Sequence, residues 1–264
     1  MASTERPSNH LAVVAIIPAR FGSTRLPGKP LSDIHGRPMV QHVYERARRA
    51  RSVQRVLVAT DDRRIAEVVK GFGGEAAMTS TDHASGTDRI AEAARGLRDA
   101  SIVVNVQGDE PLLDPAAIDA VVAAFEDPAV ALATVSLSLR DAAEMASPHV
   151  VKVVTDARGD ALYFSRSAIP TVRDAGGPAA SAAAAVDQGL ARRHVGLYGY
   201  RRDALMRFAA WPKAPLEVAE GLEQLRAMHN GMKIRVAEMA GEGTVAVDTP
   251  EDLEQVRALI AKAQ

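Results

Sequence analysis

Short apolar runs alternate with helix-length segments through the first half of the chain. The apolar runs cover residues 13–17, 56–59, 102–106 and 131–135. The segments with helical spacing cover residues 38–49, 63–71, 88–96 and 115–125. Continuous apolar runs are typical of strands buried on both faces, so this alternation predicts an α/β fold with a mostly parallel central sheet and helices on both faces.

The pattern changes near residue 148. Runs at 150–154 and 162–164 flank a turn sequence and predict a hairpin, and residues 194–200 predict a further apolar strand. The remaining elements are a helix at 216–229, a strand at 234–237 and a closing helix at 250–263 capped by Asp248 or Thr249. We therefore expect an antiparallel or mixed insertion after the parallel half.

Residues 173–191 are rich in Ala, Gly and Ser and contain almost no large apolar side chain. This composition predicts a mobile loop. A second interpretation is a short helix at 179–186, because alanine favours helices.

Composition excludes several functional classes. Cysteine is absent, which excludes disulfides, thiolate metal sites and cysteine nucleophiles and favours a cytoplasmic location. Lys and Arg number 32 against 33 Asp and Glu, and aromatic residues are 4%, so no nucleic-acid partner is expected. Residues 1–11 are expected to be a disordered tail. No run is long enough for membrane insertion.

The first candidate site is the Gly/Ser-rich loop that follows the strand at 13–17. It carries three cations, Arg20, Arg25 and Lys29. A cationic loop at the carboxyl end of a strand suits a triphosphate. The loop is not a Walker A motif, because Pro30 follows Lys29 where Ser or Thr is required. The alternative is an ordinary surface loop with solvated charges.

Carboxylates follow two apolar strands. Asp109 comes after the run at 102–106, close to the amide of Gln107, and Asp248 comes after a short apolar run far along the chain. Two such acids could converge on one Mg²⁺ site, because Mg²⁺ prefers oxygen ligands. The alternative for each acid is a turn or helix-capping role.

Two further groups are candidate binding residues. Ser85 and Gly86 lie in the turn before the predicted helix at 88–96, and their small size would admit a flat base. Arg166 and His194 lie at the ends of predicted strands and could bind a carboxylate or hydroxyls. Structural roles remain open for all four residues.

Taken in order, these motifs resemble the 3-deoxy-D-manno-octulosonate (Kdo) cytidylyltransferase family, also called CMP-Kdo synthetases. The resemblance runs from about residue 12 to the C-terminus. It rests on Ile-Pro-Ala-Arg (17–20), Ser-Thr-Arg-Leu-Pro-Gly-Lys-Pro-Leu (23–31), Ala-Thr-Asp-Asp (59–62), Ser-Gly-Thr-Asp-Arg (85–89), Asn-Val-Gln-Gly-Asp-Glu-Pro (105–111), Tyr-Phe-Ser-Arg (163–166), Arg-His-Val-Gly-Leu-Tyr (193–198), Leu-Glu-Gln-Leu-Arg (222–226) and Val-Asp-Thr-Pro-Glu-Asp-Leu (247–253). The chain departs from the family mainly at 173–191.

The resemblance implies an activity and a fold. The family makes CMP-Kdo and pyrophosphate from CTP and Kdo with Mg²⁺, by in-line attack of the sugar C2 hydroxyl on the α-phosphate, and supplies lipopolysaccharide biosynthesis. The implied fold is the Rossmann-like nucleotide-diphospho-sugar transferase fold, with a smaller antiparallel or mixed insertion that forms a homodimer. Residues 12–148 would be the CTP-binding half, 149–249 the sugar-binding and dimerisation part, and 250–264 the closing helix.

The resemblance also implies roles for individual residues. The implied catalytic residues are Arg20, Lys29, Asp109 and Asp248, of which Asp109 and Asp248 would bind the metal. The implied CTP-binding residues are Pro18, Ala19, Arg20, Lys29, Ser85, Gly86, Arg89 and Gln107. The implied Kdo-binding residues are Arg166, His194, Tyr198, Glu223 and Gln224.

Three other functions remain possible from the sequence. The nearest is another sugar nucleotidylyltransferase such as CMP-sialic acid synthetase, whose phosphate loop differs from residues 23–31. A glycosyltransferase of similar topology would need a paired Asp-x-Asp motif, which Gln107-Gly108-Asp109 lacks. A non-catalytic nucleotide-binding protein would tolerate loss of the loop cations and metal acids, all of which are present.

Overall fold

The computed structural model describes residues 11–22, 25–241, 243 and 245–262. The strands are β1 (Val13–Ala19), β2 (Asp33–Ile34), β3 (Arg37–Pro38), β4 (Arg55–Thr60), β5 (Ala76–Met78), β6 (Ile102–Asn105), β7 (Leu132–Ser138), β8 (Lys152–Thr155), β9 (Ala161–Ser165), β10 (Arg192–Arg201) and β11 (Ile234–Met239). The helices are α1 (Met39–Arg49), α2 (Arg63–Gly71), α3 (Gly86–Arg95), α4 (Pro115–Ala123), α5 (Ala142–Ala146), α6 (Pro178–Asp187), α7 (Arg202–Ala210), α8 (Pro215–Glu220), α9 (Leu225–His229) and α10 (Pro250–Lys262). The expected disordered tail falls almost entirely outside the described residues.

The central sheet has the strand order β11-β7-β10-β6-β1-β4-β5. Strand β1 pairs in parallel with β4 and β6, and β11 pairs in parallel with β7. Side chains on β1 alternate between two cores: Ala15 and Ile17 belong to one, and Val14 and Ile16 to the other. The prediction of a mostly parallel sheet with helices on both faces is therefore confirmed.

Strand β10 lies in the middle of this sheet, antiparallel to both β6 and β7. The sequence predicted this strand correctly but assigned it to an insertion outside the parallel sheet, which is wrong. Both edges of β10 are paired because the strand has a neighbour on each side, and its side chains Leu197 and Tyr200 are buried in the two cores on the faces of the sheet. This arrangement brings residues from the second half of the chain beside the carboxyl ends of β1 and β6.

The predicted hairpin is confirmed, since β8 and β9 pair antiparallel, and β8 also pairs with β10. The predicted helix at 216–229 is wrong as a single element. It is divided into α8 and α9 because Gly221 adopts φ 62° and ends α8. The first helix of that pair begins at Pro215.

The loop interpretation of 173–191 is wrong over its central part, where the second interpretation is correct. Residues Pro178–Asp187 form α6. Ala182 and Ala185 of α6 are buried in a small core with Met145 of α5. A stripe of alanines is enough to form a helix here because α5 supplies the surface that covers it.

Among the described residues, no helix has both the length and the apolar character needed to cross a membrane.

Candidate active site

A cleft of about 320 Å³ opens where β1 and β6 end. It is lined by all ten residues that the resemblance assigned to CTP, catalysis or metal: Pro18, Ala19, Arg20, Lys29, Ser85, Gly86, Arg89, Gln107, Asp109 and Asp248. These residues come from four separate parts of the chain. The carboxyl edge of the sheet is where open α/β folds bind ligands, so the fold gathers the predicted residues in the expected place.

Two glycines allow the cleft walls to approach Pro18. A Cβ added to Gly108 would lie 2.7 Å from the backbone oxygen of Pro18, and one added to Gly86 would lie 3.2 Å from its Cγ. The first distance is shorter than real side chains adopt, so the loop after β6 could not take this position with a larger residue. The N-terminus of α3 and the loop after β6 therefore pack around the end of β1.

Lys29 joins the two predicted metal acids at the base of this cleft. Its Nζ donates to Asp109 Oδ2 at 2.8 Å and to Asp248 Oδ1 at 3.1 Å. A third hydrogen bond goes to the backbone oxygen of Val247, at 2.9 Å. The Lys29 side chain is 17% exposed, so this ammonium is largely enclosed by oxygen atoms. The two carboxylates are thus close enough to share one cation.

Backbone contacts explain how Asp248 reaches Asp109. The amide of Val247 donates to the backbone oxygen of Asp109 at 2.8 Å, which holds the segment before α10 against the loop after β6. Thr249 caps α10 by accepting from the amide of Asp252. The capping role is therefore filled by Thr249, and the carboxylate of Asp248 faces the cleft.

Cations surround the mouth of the cleft. Arg25 contacts Asp248 Oδ2 at 3.2 Å and remains 64% exposed. Arg20 is exposed and makes no ion pair among the described residues. Exposed guanidinium groups beside an enclosed ammonium suit an anionic ligand such as a triphosphate.

Arg89 and Ser85 have structural partners within the same cleft. The Arg89 guanidinium is buried and donates to Asp61 Oδ2 at 2.7 Å and to Thr79 Oγ1 at 2.6 Å. The Ser85 hydroxyl accepts from the amide of Asp88 and caps α3. These contacts hold the wall formed by residues 83–86 in place.

A second cleft of similar volume, about 320 Å³, lies on the neighbouring part of the sheet. Four of the five residues that the resemblance assigned to Kdo line it, His194, Tyr198, Glu223 and Gln224. The two clefts are neighbours: Gln107 of the first donates through Nε2 to the backbone oxygen of Gly196, which lines the second, at 3.2 Å. Gly196 lies at the bulge where β10 shifts its register against β7.

Arg166, the fifth residue, is not among the residues that line the second cleft. Its Nε donates to the backbone oxygen of Glu220 at 2.8 Å, and its NH1 donates to the backbone oxygen of Pro148 at 3.0 Å. The guanidinium thus connects Pro148 and Glu220, which directly precede the cleft-lining residues His149 and Gly221.

The second cleft combines the Glu223 carboxylate with polar groups that are neutral. Burial lowers the pKa of His194 to about 3, so its ring is uncharged at neutral pH. Its Nε2 lies 3.0 Å from the hydroxyl of Thr134. Burial, together with Tyr200 and Glu223, raises the pKa of the Tyr198 phenol. Nε2 of Gln224 is buried without a hydrogen-bond partner among the described residues, which leaves a donor available to a ligand.

The first cleft also contains residues that the resemblance did not assign to a ligand, namely Arg25, Pro30, His83, Ala84 and Gly108. Arg25 is one of the three loop cations expected to suit a triphosphate, and His83 lies two residues before the assigned Ser85, so the position of each along the chain was a usable signal. Gly108 lies between the assigned Gln107 and Asp109, but the reason for a glycine at this position is seen only in the close approach of Pro18.

Comparisons with known proteins identify the family of the chain. The profile of the cytidylyltransferase family matches residues 14–234. A 3-deoxy-manno-octulosonate cytidylyltransferase from Geobacter sulfurreducens is 57% identical over 245 residues, covering 92% of this chain and 97% of the relative. One from Trichlorobacter lovleyi is 54% identical over 248 residues, covering 94% and 98%.

A solved structure supports the same relationship. A CMP:2-keto-3-deoxy-manno-octonic acid synthetase complexed with CTP superposes with a TM-score of 0.87 at 47% identity, covering 96% of this chain and all of that one.

Proposed function

The chain belongs to the 3-deoxy-manno-octulosonate cytidylyltransferase family, and we propose that it transfers the cytidylyl group of CTP to Kdo and releases pyrophosphate. The observation that carries this proposal is the cluster of Lys29, Asp109 and Asp248 at the base of a cationic cleft. A second cleft with hydrogen-bonding groups lies beside it, as a reaction between two substrates requires.

The reaction is an in-line displacement at the α-phosphorus. A bond forms between the sugar C2 oxygen and phosphorus, the bond from phosphorus to the leaving pyrophosphate breaks, and the proton of the C2 hydroxyl is released to water. Such a step needs positioning and charge neutralisation. Arg20, Arg25 and Lys29 supply positive charge on the nucleotide side, and Ser85, Gly86 and Gln107 border the space for cytosine and ribose.

The proposal includes Mg²⁺, held by Asp109 and Asp248. Both carboxylates contact one cation, the Lys29 ammonium, so they converge on a single position at which they would hold a metal ion. Two carboxylates suit a Mg²⁺ that takes its other ligands from phosphates and water. When bound, Mg²⁺ neutralises phosphate charge and polarises the oxygens around the reacting phosphorus.

On the sugar side, the proposed contacts are hydrogen bonds from the second cleft. Neutral His194 and Nε2 of Gln224, which has no hydrogen-bond partner in the described part of the chain, would bind hydroxyls or the Kdo carboxylate, and Glu223 would accept from hydroxyls. Arg166 would either contact the Kdo carboxylate after a local movement or hold the cleft border through Pro148 and Glu220.

A homodimer built by residues 150–200 is also part of the proposal. Leu162 is 61% exposed and Leu190 is 44% exposed, both within this stretch. Large apolar side chains at the surface suit an interface with a second copy. Light scattering at micromolar protein should give twice the mass of the chain, and a monomeric mass would contradict the dimer.

The proposal also covers the pathway and the cellular location of the protein. The product would supply lipopolysaccharide biosynthesis, and a cytoplasmic location is favoured by the absence of cysteine. The direct test of the activity is pyrophosphate release from CTP, measured with and without Kdo. We expect release only with both substrates, and a comparison with sialic acid tests the preference for the sugar.

A further inference from the structure

Thr87 is a buried hydroxyl that connects the two clefts. It is the second residue of α3, directly after Gly86 of the first cleft, and is 2% exposed. Its Oγ1 donates to Oε2 of Glu223, which lines the second cleft, over 2.5 Å. A hydroxyl that donates to a carboxylate at this distance makes a strong, charge-assisted hydrogen bond.

The other partner of Glu223 is weaker. Arg226 approaches its Oε1 only at 3.5 Å, because the Arg226 guanidinium is already bound to Glu217 at 2.5 and 2.9 Å. The Glu223 side chain is 33% exposed at the cleft. The hydroxyl of Thr87 is therefore the closest of the described contacts that orient this carboxylate.

The position of Thr87 is fixed by residues that line the first cleft. Ser85, two positions before Thr87, caps the N-terminus of α3, and Gly86 packs against Pro18 at the end of β1. The first turn of α3 is thus fixed by the same residues that form the first cleft. Its second residue then reaches across to a carboxylate that is distant in sequence.

We propose that Thr87 is a positioning residue that orients the Glu223 carboxylate toward the sugar acid from the helix that borders the nucleotide. Thr87 itself lines neither cleft, so it acts through Glu223 and not by contact with substrate. This inference rests on the proposed function, in which the second cleft binds Kdo.

The test compares Thr87→Val, which keeps the shape and removes the hydroxyl, with Thr87→Ser, which keeps the hydroxyl. Steady-state kinetics varies CTP and Kdo separately. Thr87→Val should raise the KM for Kdo about tenfold, as expected for loss of a hydrogen bond to a charged group, and change the KM for CTP less than twofold. Thr87→Ser should restore the KM for Kdo to within about threefold of the parent chain, since it keeps the same donor.

A double variant separates positioning from general damage. If Thr87 acts through Glu223, then adding Thr87→Val to Glu223→Gln should raise the KM for Kdo by less than twofold over Glu223→Gln alone. Melting temperatures of all variants are measured in parallel, and Thr87→Ala replaces Thr87→Val if the valine variant does not fold.

Two outcomes would overturn the inference. One is an unchanged KM for Kdo in Thr87→Val, and the other is an equal rise of both KM values that serine does not restore. Failure of the proposed function is distinguishable, because the parent chain would then release no pyrophosphate from CTP and Kdo.

Discussion

The ammonium of Lys29 lies 2.8 Å from Oδ2 of Asp109, although the two residues are 80 positions apart in the chain. The same ammonium contacts Asp248, so one cation joins the loop after β1, the loop after β6 and the segment before α10. The charge of Lys29 is held within the cleft by oxygen atoms from two distant segments. This arrangement makes Lys29 a sensitive point for the proposed reaction.

Replacement of Lys29 by alanine should lower kcat by about 100-fold, because negative charge grows on the leaving pyrophosphate as its bond to phosphorus breaks. Steady-state kinetics with both substrates saturating measures this change. Lys70→Ala, which removes an exposed lysine at the end of α2, is the matched control and should leave kcat unchanged. A kcat for Lys29→Ala within threefold of the parent chain would contradict the role of its charge.

Asp109→Asn and Asp248→Asn should each remove most turnover while the fold remains intact. Each substitution neutralises one of the two proposed Mg²⁺ ligands. The expected loss of transition-state stabilisation is roughly 3 kcal/mol. Activity is measured over a Mg²⁺ titration, and circular dichroism checks the fold. The exposed Asp99→Asn serves as control. Near-parental activity of either variant at saturating Mg²⁺ would reject the metal assignment.

Arg166→Ala should raise the KM for Kdo about ten- to a hundredfold and spare the KM for CTP. Loss of a charge-assisted hydrogen bond costs roughly 1.5–3 kcal/mol. The expectation holds for contact with the sugar carboxylate and for support of the cleft border through Pro148 and Glu220. His194→Ala should have a smaller effect of the same kind. A variant Arg166→Ala with weaker CTP binding and unchanged Kdo kinetics would contradict this division of the site.

The free energy of unfolding should fall below pH 6.5 through His194. Burial holds its pKa at about 3 in the folded chain, whereas the unfolded chain takes up a proton near 6.5. The unfolded state therefore binds more protons between these values, and stability is lost as the pH falls, by up to about 1.4 kcal/mol per pH unit. Urea unfolding of the parent chain and His194→Gln at pH 7, 6 and 5 measures this slope, which the variant should reduce. Equal slopes for both proteins would contradict it.

Local pattern predicted the elements well and long-range pairing poorly. The run at 194–200 identified a strand, but nothing in those residues indicates that β10 pairs with β6 and β7 from the opposite direction. The alanine-rich segment became α6 only because α5 covers its small side chains. Gly221 interrupts a helical pattern through a backbone conformation that the apolar spacing does not express.

In the site too, the sequence indicated individual residues but not the contacts between distant segments. The end of a buried strand indicated Asp109 correctly, because the carboxyl ends of such strands meet at one edge of a sheet. The same argument placed Asp248 after a strand, which is wrong: residues 245–248 have no regular secondary structure and lead directly into α10. The contact of Lys29 with both acids was not predicted, since it depends on the backbone hydrogen bond from Val247 to Asp109. The position of the Arg166 guanidinium also depends on its hydrogen bonds to backbone oxygens in two other segments, and sequence motifs do not encode such contacts.

The central place of β10 has a consequence for how this enzyme can be divided or recombined. A fragment that ends at residue 148 lacks β10 and leaves β6 and β7 with unpaired edges, so it should aggregate when expressed alone. The proposed sugar-binding part is therefore not a module that can be exchanged between relatives, because it carries an interior strand of the central sheet. We expect a change of sugar preference on this scaffold to require individual substitutions along β10 and the neighbouring loops.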